Sequence, residues 1–200
     1  EALAAKVAKG LGMVTMPEPL PKATTEVATP EVMKSPALSL FHRPGDGSLA
    51  GRKVAILVAP GFEGGFVLEA QATLLEHGVV ARIVGPHIGR VSTISGEAVE
   101  ADASMENAPG FLFDALILAD GTESIAALAQ DGHTVEFIRD QFRHCKPILC
   151  VGDARRLVRH AGLPISMDKS LAQGGTGLFV VDAGEGGAAM NAFIAAMQKH

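Results

Sequence analysis

The most reactive side chains in this sequence are two thiols, Cys145 and Cys150, five residues apart around Pro147. Cys150 lies near the end of the apolar run Pro147–Val151 (PILCV), and Gly152 follows, so the local pattern is ILCVGD. A thiol carried by a strand into a tight turn before a helix meets backbone N–H groups and a helix N-terminus. Both favour the thiolate, which is the nucleophilic form. Cys145 sits between His144 and Lys146, a cationic neighbourhood that raises reactivity, although a packing cysteine at a helix end is the plainer reading. The pair makes a poor frame for a disulfide and gives no metal pattern. We expect a reducing, cytoplasmic compartment.

Carboxylates form the second group. Asp120–Gly121–Thr122–Glu123 follows the apolar run FDALILA (113–119). It reads as a helix start, with Asp120 or Thr122 as N-cap and Glu123 supporting the dipole. The loop Pro60–Gly65 (PGFEGG) matches neither G-x-G-x-x-G nor the P-loop, and Glu63 at its middle repels phosphate. Seven histidines (His42, His77, His87, His133, His144, His160 and His200) show no spacing that would hold a metal, and none is expected to. Arg155, Arg156, Arg159 and His160 give one helix a basic face, expected to be solvated. Tyr and Trp are absent. That removes a tyrosinate haem ligand from this segment, and the aromatic platforms that most often stack on flavins or bases.

The elements that must position these groups are legible. KVAILVA (53–59), VVARIVG (79–85), FDALILA (113–119), PILCV (147–151) and LFVVD (178–182) are short apolar runs bounded by turn residues, as in buried strands. Helical patterns separate them. GGFVLEAQATLLEHG (64–78) has Phe66, Ala70 and Leu74 on one stripe with Leu68 and Leu75 beside it, and Gly78 as the C-terminal stop. A helical pair over 122–144 has Val135, Ile138 and Phe142 on one face. ARRLVRHAG (154–162) follows, and a last helix over 185–199 is faced by Ala188, Ala192 and Ala196, with Phe193 beside them. Residues 89–104 read as short extended pieces. Strands alternating with helices predict a three-layer α/β fold, flavodoxin-like and doubly wound, with a parallel sheet in the order 2-1-3-4-5.

This folded domain spans 51–200. Residues 1–14 read as the end of a helix, with Leu3, Val7 and Leu11 on a stripe and glycines Gly10 and Gly12 as the stop. Such a short helix needs a packing partner. Residues 15–50 form a proline-rich linker holding six of the eleven prolines. About 28 residues near polyproline geometry reach roughly 80–90 Å, and Ala37–Phe41 (ALSLF) is a candidate docking point within it. The chain begins at Glu1, so we read it as part of a longer protein with no signal-peptide pattern of its own. A charge of −5 with no basic run argues against nucleic acid as a partner, and no apolar stretch is long enough to span a membrane.

Three segments carry a family resemblance: GRKVAILVAPGFEGG (51–65), FDALILADGTES (113–124) and FRHCKPILCVGDARRLVRHAGLP (142–164). The sequence resembles the C-terminal domain of large-subunit haem catalases, and AAKVAKGLGM is similar to the last helix of the catalase core. That domain is in turn similar to the DJ-1/PfpI and class I glutamine amidotransferase group. In that group a Cys occupies a strained strand-to-helix turn and a Glu contacts it. The resemblance puts Cys150 at the nucleophile position, in a run similar to I-C-x-G-P. The contacting Glu falls at Phe66, and Glu63 misses that register by three residues. Gly121 matches part of a Gly-Gly turn whose N–H belongs to an oxyanion hole, but Asp120 replaces the first glycine. The resemblance therefore implies no catalytic residue here, only a vestigial Cys150 with Gly121 and Glu63 nearby, and no cofactor in this segment. For the parent the resemblance implies haem, disproportionation of hydrogen peroxide and a homotetramer. The implied partners are the catalase core and neighbouring subunits. Two alternatives also follow from it: a holdase binding unfolded clients, and a residual cysteine hydrolase.

Overall fold

The computed structural model describes residues 2–16, 18, 20–21, 29–39, 42, 46–163 and 177–199. Contacts divide the chain into two units, Glu1–Pro44 and Gly45–His200. The first contains helix α1 (Ala2–Gly10) and a 3₁₀ turn at Pro36–Leu38. Leu3, Val7 and Leu11, the stripe read from the sequence, are exposed. The 3₁₀ turn falls at the start of the ALSLF run. Leu40 and Phe41 lie outside the described residues, as do Pro17, Pro19 and Lys22 of the MPEPLPK segment.

The second unit is built on β1 (Lys53–Leu57), β2 (Val80–Gly85), β5 (Ala103–Ser104), β6 (Ala115–Leu118), β7 (Ile148–Val151) and β8 (Leu178–Val181). They form one sheet in the order β5-β2-β1-β6-β7-β8, and every pairing is parallel. The five strands β2-β1-β6-β7-β8 follow the predicted order, and β5 adds a two-residue edge beyond β2. Asp102, just before β5, also covers β2. It accepts from Ile83 N–H through Oδ2 at 3.0 Å and donates its own N–H to Ile83 C=O at 2.9 Å. The extended pieces of 89–104 include an antiparallel hairpin of β3 (Gly89–Ser92) and β4 (Ala98–Ala101).

Helices cover both faces, which explains why β1, β6 and β7 read as continuous apolar runs rather than alternating ones. Val54, Ile56, Leu149 and Val151 face one layer, with α2 (Gly64–Glu76) and α6 (Gly186–Lys199). Ala55, Leu57, Leu116, Leu118, Ile148 and Cys150 face the other, with α3 (Thr122–Gln130), α4 (Gly132–Arg143) and α5 (Arg155–His160). Successive residues of each strand thus serve opposite cores, as the two-residue pleat requires.

The helical stripes differ from those read in the sequence. In α2 the buried residues are Gly64, Val67, Ala70 and Leu74, while Leu68 and Leu75 are exposed and Phe66 is half-buried. In α6 the inward residues are Ala189, Met190, Phe193, Ile194 and Met197, and Ala188 and Ala192 face out. Burial is worth more for the larger side chains, so they turn the alanine stripe away from the sheet. In α4 the fully buried positions are Thr134, Phe137, Ile138 and Gln141. Val135 and Phe142 lie at the margin of the core. Gln141 is inside because its Nε2 donates to the Gly110 and Phe113 carbonyls, which a 3₁₀ turn (Gly110–Leu112) leaves without strand partners.

Candidate functional site

The C-terminal ends of the strands converge where β1, β6 and β7 hand the chain to their following helices. In an open α/β sheet this is where ligands bind. A cleft of about 340 Å³ opens there, lined by Glu63, Phe66, Glu69, Asp120, Val151 and the glycine-rich entry to α6.

Three loops build it, and backbone contacts lock them together. The loop after β1 is joined to the loop after β6 by Glu63 N–H donating to Asp120 C=O at 2.9 Å. Gly121 has φ 133°, and a Cβ on it would lie 2.5 Å from the Gly61 carbonyl oxygen, so only glycine allows this approach. The loop after β1 also bonds to the hairpin, Gly61 N–H to Ser92 C=O at 2.9 Å and Ile94 N–H to Phe62 C=O at 2.9 Å. Glu63 caps α2, accepting from Gly65 N–H at 3.1 Å and Phe66 N–H at 2.7 Å. It therefore fills the helix N-terminus that a phosphate would need.

The left-handed residue of the turn after β7 is Gly152, at φ 58°, a conformation that suits glycine. Cys150 lies two residues earlier, inside the strand and opposite Leu118 and Val180. Its side chain faces the α3–α4–α5 layer and is fully buried. The resemblance had put Cys150 on the turn; the backbone puts Gly152 there, and a glycine has no side chain to react. Burial is the main influence on the Cys150 thiol and pushes it far above the ordinary range; Arg155 pulls the other way and Asp120 adds to the rise. A protonated, inaccessible sulfur is neither a nucleophile nor a metal ligand.

A carboxylate stands where a side chain at this turn would be. A Cβ on Gly152 would lie 2.0 Å from Asp120 Oδ2 and 2.3 Å from its Cγ. Asp120 Oδ1 accepts from Gly121 N–H at 2.8 Å and from Asp153 N–H at 3.1 Å. Neither Asp120 nor Thr122 caps α3 as the sequence suggested: the N-cap is Gly121, with no side-chain bond to the helix. Asp120 reaches across to the β7 turn instead. In sequence the two roles look identical, because an Asp ahead of a helix suits both. Buried Ser124, which the sequence did not single out, accepts from Ala59 N–H through Oγ at 2.9 Å and ties α3 to the end of the β1 run.

Arg155 secures the other side of the turn. Its Nε donates to Gly152 C=O at 2.8 Å, and Nη2 reaches Val181 C=O at 3.4 Å and the Asp182 carboxylate. The basic face read from the sequence is thus partly a brace between β7 and β8, while Arg156 makes only a 3.8 Å contact to Asp153. Cys145 is exposed at the end of α4, in a left-handed conformation with φ 55°. Phe66 stands at the cleft's edge with its ring over Gly186, whose added Cβ would come within 2.6 Å. Among the described residues no three His, Cys, Asp or Glu side chains are grouped to hold a metal, and no helix is long and apolar enough to cross a membrane.

The cleft does not fit a haem. The sequence has no Tyr, and the lining offers carboxylates, apolar groups and glycines, with no His, Cys or Met to reach an iron.

Comparison with known proteins places this geometry. The family described as the C-terminal domain found in long catalases matches residues 50–200. The chain is 32% identical over 199 residues to catalase HPII of Pseudomonas putida, covering 99% of this chain and 25% of that protein. It is 31% identical to catalase C of Rhizobium meliloti (strain 1021), covering 84% of this chain and 24% of that protein. The chain therefore spans about a quarter of the length of these relatives. Among solved structures it is similar to a ThiJ/PfpI domain protein from Brachyspira murdochii, with TM-score 0.62, 13% identity, and 76% and 98% of the two chains covered. It is also similar to Drosophila melanogaster DJ-1beta, with TM-score 0.59, 15% identity and 72% and 89% covered. These two likenesses establish the fold.

Proposed function

This chain belongs to the family of C-terminal domains found in long catalases, and from that membership we propose that it serves a haem catalase as a non-catalytic accessory domain. The parent reaction is disproportionation of hydrogen peroxide to water and oxygen, carried out in the catalase core. The domain's contribution is mechanical: it adds interface that stabilises the subunit and its tetramer, and it shapes the route by which peroxide reaches the core.

The observation that carries the non-catalytic reading is the turn after β7. Its left-handed residue is Gly152. The thiol two residues away is sealed in the core, and Asp120 fills the space a reacting group would need. A hydrolase built on Cys150 has no accessible nucleophile.

The test is to remove the segment corresponding to residues 15–200 from the intact catalase. The expected result is a thermal-inactivation half-life shortened about tenfold or more, because kinetic stability follows interactions lost on unfolding. An unchanged half-life together with unchanged turnover would eliminate both roles.

A second reading rests on exposed apolar side chains of the Gly45–His200 unit: Leu75, Ile88, Ile94, Phe111 and Leu112 are each more than half exposed. Exposed apolar side chains can capture unfolded clients where they gather into a patch. If the chain is a holdase, near-stoichiometric amounts suppress aggregation of a heated client; no suppression discards the reading.

A further inference from the structure

We propose that Asp46–Gly47 is a self-modification site, where the chain converts its own aspartate to isoaspartate through a cyclic imide. This goes beyond the accessory role, since it needs neither a ligand nor a catalase core.

The sequence has three Asp–Gly pairs, at 46–47, 120–121 and 131–132. Glycine has no side chain to hinder its own nitrogen from reaching the preceding carboxyl group, so each pair is a candidate by composition. In the reaction the glycine nitrogen attacks Asp Cγ. A C–N bond forms, the Cγ–OH bond breaks, and the amide proton leaves with the hydroxyl as water. Water then adds to the aspartate's main-chain carbonyl in the ring and breaks its bond to the glycine nitrogen. The chain now runs through Cγ and is longer by a carbon, with the main-chain carboxylate free and the mass unchanged. No oxidant or co-reactant other than water enters.

The structure separates the three pairs. At 131–132 the ring needs the Gly132 nitrogen on the Cβ side of the Cα–C bond, and ψ 119° at Asp131 turns it away. Gly132 also opens α4, and Asp131 Oδ1 is held by His133 N–H at 2.9 Å and by His133 Nδ1 at 3.0 Å. At 120–121 the nitrogen is close, since Gly121 N–H donates to Asp120 Oδ1 at 2.8 Å, yet the product has no room. Glu63 N–H fixes Asp120 C=O, and a Cβ on Gly121 would lie 2.5 Å from the Gly61 carbonyl oxygen, so an added main-chain carbon cannot be absorbed there. Among the described residues neither lock is found at 46–47. Asp46 is exposed, and nothing lies within 4 Å of where a Cβ on Gly47 would stand. Ser48 N–H donates to Asp46 Oδ1 at 2.8 Å. That turn folds the carboxyl group back toward the Gly47 amide and polarises it for attack.

The experiment ages the intact protein at neutral pH and physiological temperature, digests it, and labels isoaspartate in the peptides with a protein isoaspartyl methyltransferase. The expected result is a label that accumulates at Asp46 and stays absent at Asp120 and Asp131. The same chain aged unfolded in guanidinium chloride should gain the label at all of these positions, because the two locks belong to the fold. Gly47→Ala, whose methyl shields the attacking nitrogen, should lose most of the label at Asp46. An unlabelled Asp46 in the folded wild type, a label of equal size at Asp120 or Asp131, or undiminished labelling of Gly47→Ala overturns the proposal.

Discussion

Raising the pH should destabilise this domain through Cys150, by an amount the structure fixes. The thiol is fully buried in β7, and that burial is the main reason its ionisation lies far above the ordinary value of 9.0. Folded, it keeps its proton throughout the accessible alkaline range; unfolded, it loses it near the ordinary value. Above that value the unfolded state binds fewer protons, so stability falls as pH rises. With one proton involved, the loss relative to neutral pH is about 1.4 kcal/mol near pH 10 and about 2.7 kcal/mol near pH 11. Urea unfolding of the wild type and of Cys150→Ala across this range provides the assay. The substitution removes a buried sulfur and lowers stability at neutral pH by about 1–2 kcal/mol. It also abolishes the Cys150 contribution to the alkaline slope. Titrations common to both proteins cancel, so the stability gap must shift with pH by the amounts given, closing near pH 10 and reversing in sign near pH 11. A gap that stays constant from neutrality to about pH 11 refutes the claim that Cys150 is held protonated by burial.

Four other outcomes follow from the same geometry. Native protein should expose a single reactive thiol, Cys145, to a disulfide reagent, with Cys150 appearing only in denaturant; two native thiols would contradict the burial. Arg155→Met should lower stability by about 1–2 kcal/mol in chemical unfolding, through lost bonds to Gly152, Val181 and Asp182, and Asp182→Asn should cost less because that carboxylate is largely exposed. Gly121→Ala, with its Cβ driven to 2.5 Å from a carbonyl oxygen, should cost about 3 kcal/mol or more, whereas Gly132→Ala, with nothing within 4 Å, should be neutral or stabilising by a few tenths. Gly186→Ala should lower the melting temperature because its methyl meets the Phe66 ring at 2.6 Å, and Phe66→Ala should recover part of that loss.

Much of the architecture was legible because β1, β6 and β7 are buried on both faces. A strand segment sealed between two helical layers must be apolar at every position, and Val54–Leu57, ALIL and ILCV are. The helices were harder. In α6 a regular alanine stripe competes with a stripe of Met, Phe and Ile, and periodicity alone does not weigh size. The site was less legible still. Cys150 and Gly152 share one turn motif, and the sign of a single backbone angle decides which occupies the left-handed turn position. The signals were present: a glycine directly after the strand, and an Asp in place of a glycine at position 120. Their connection runs between residues 33 apart in sequence, which no local pattern displays. Glu63 was read from the sequence as hostile to phosphate, and its role as cap of α2 could not be told from its neighbours alone.

The short strand β5 has a consequence for behaviour in crowded solution. An unpaired strand margin is a template on which another chain can add itself. Here β2, six residues long, would present such a margin if it stood last. Instead it is shielded by two paired residues and by Asp102, whose carboxylate and amide occupy both polar groups of Ile83. A stray strand arriving on this side finds a foothold two residues wide beside a negative charge, and the molecule is protected there from growing into fibrils.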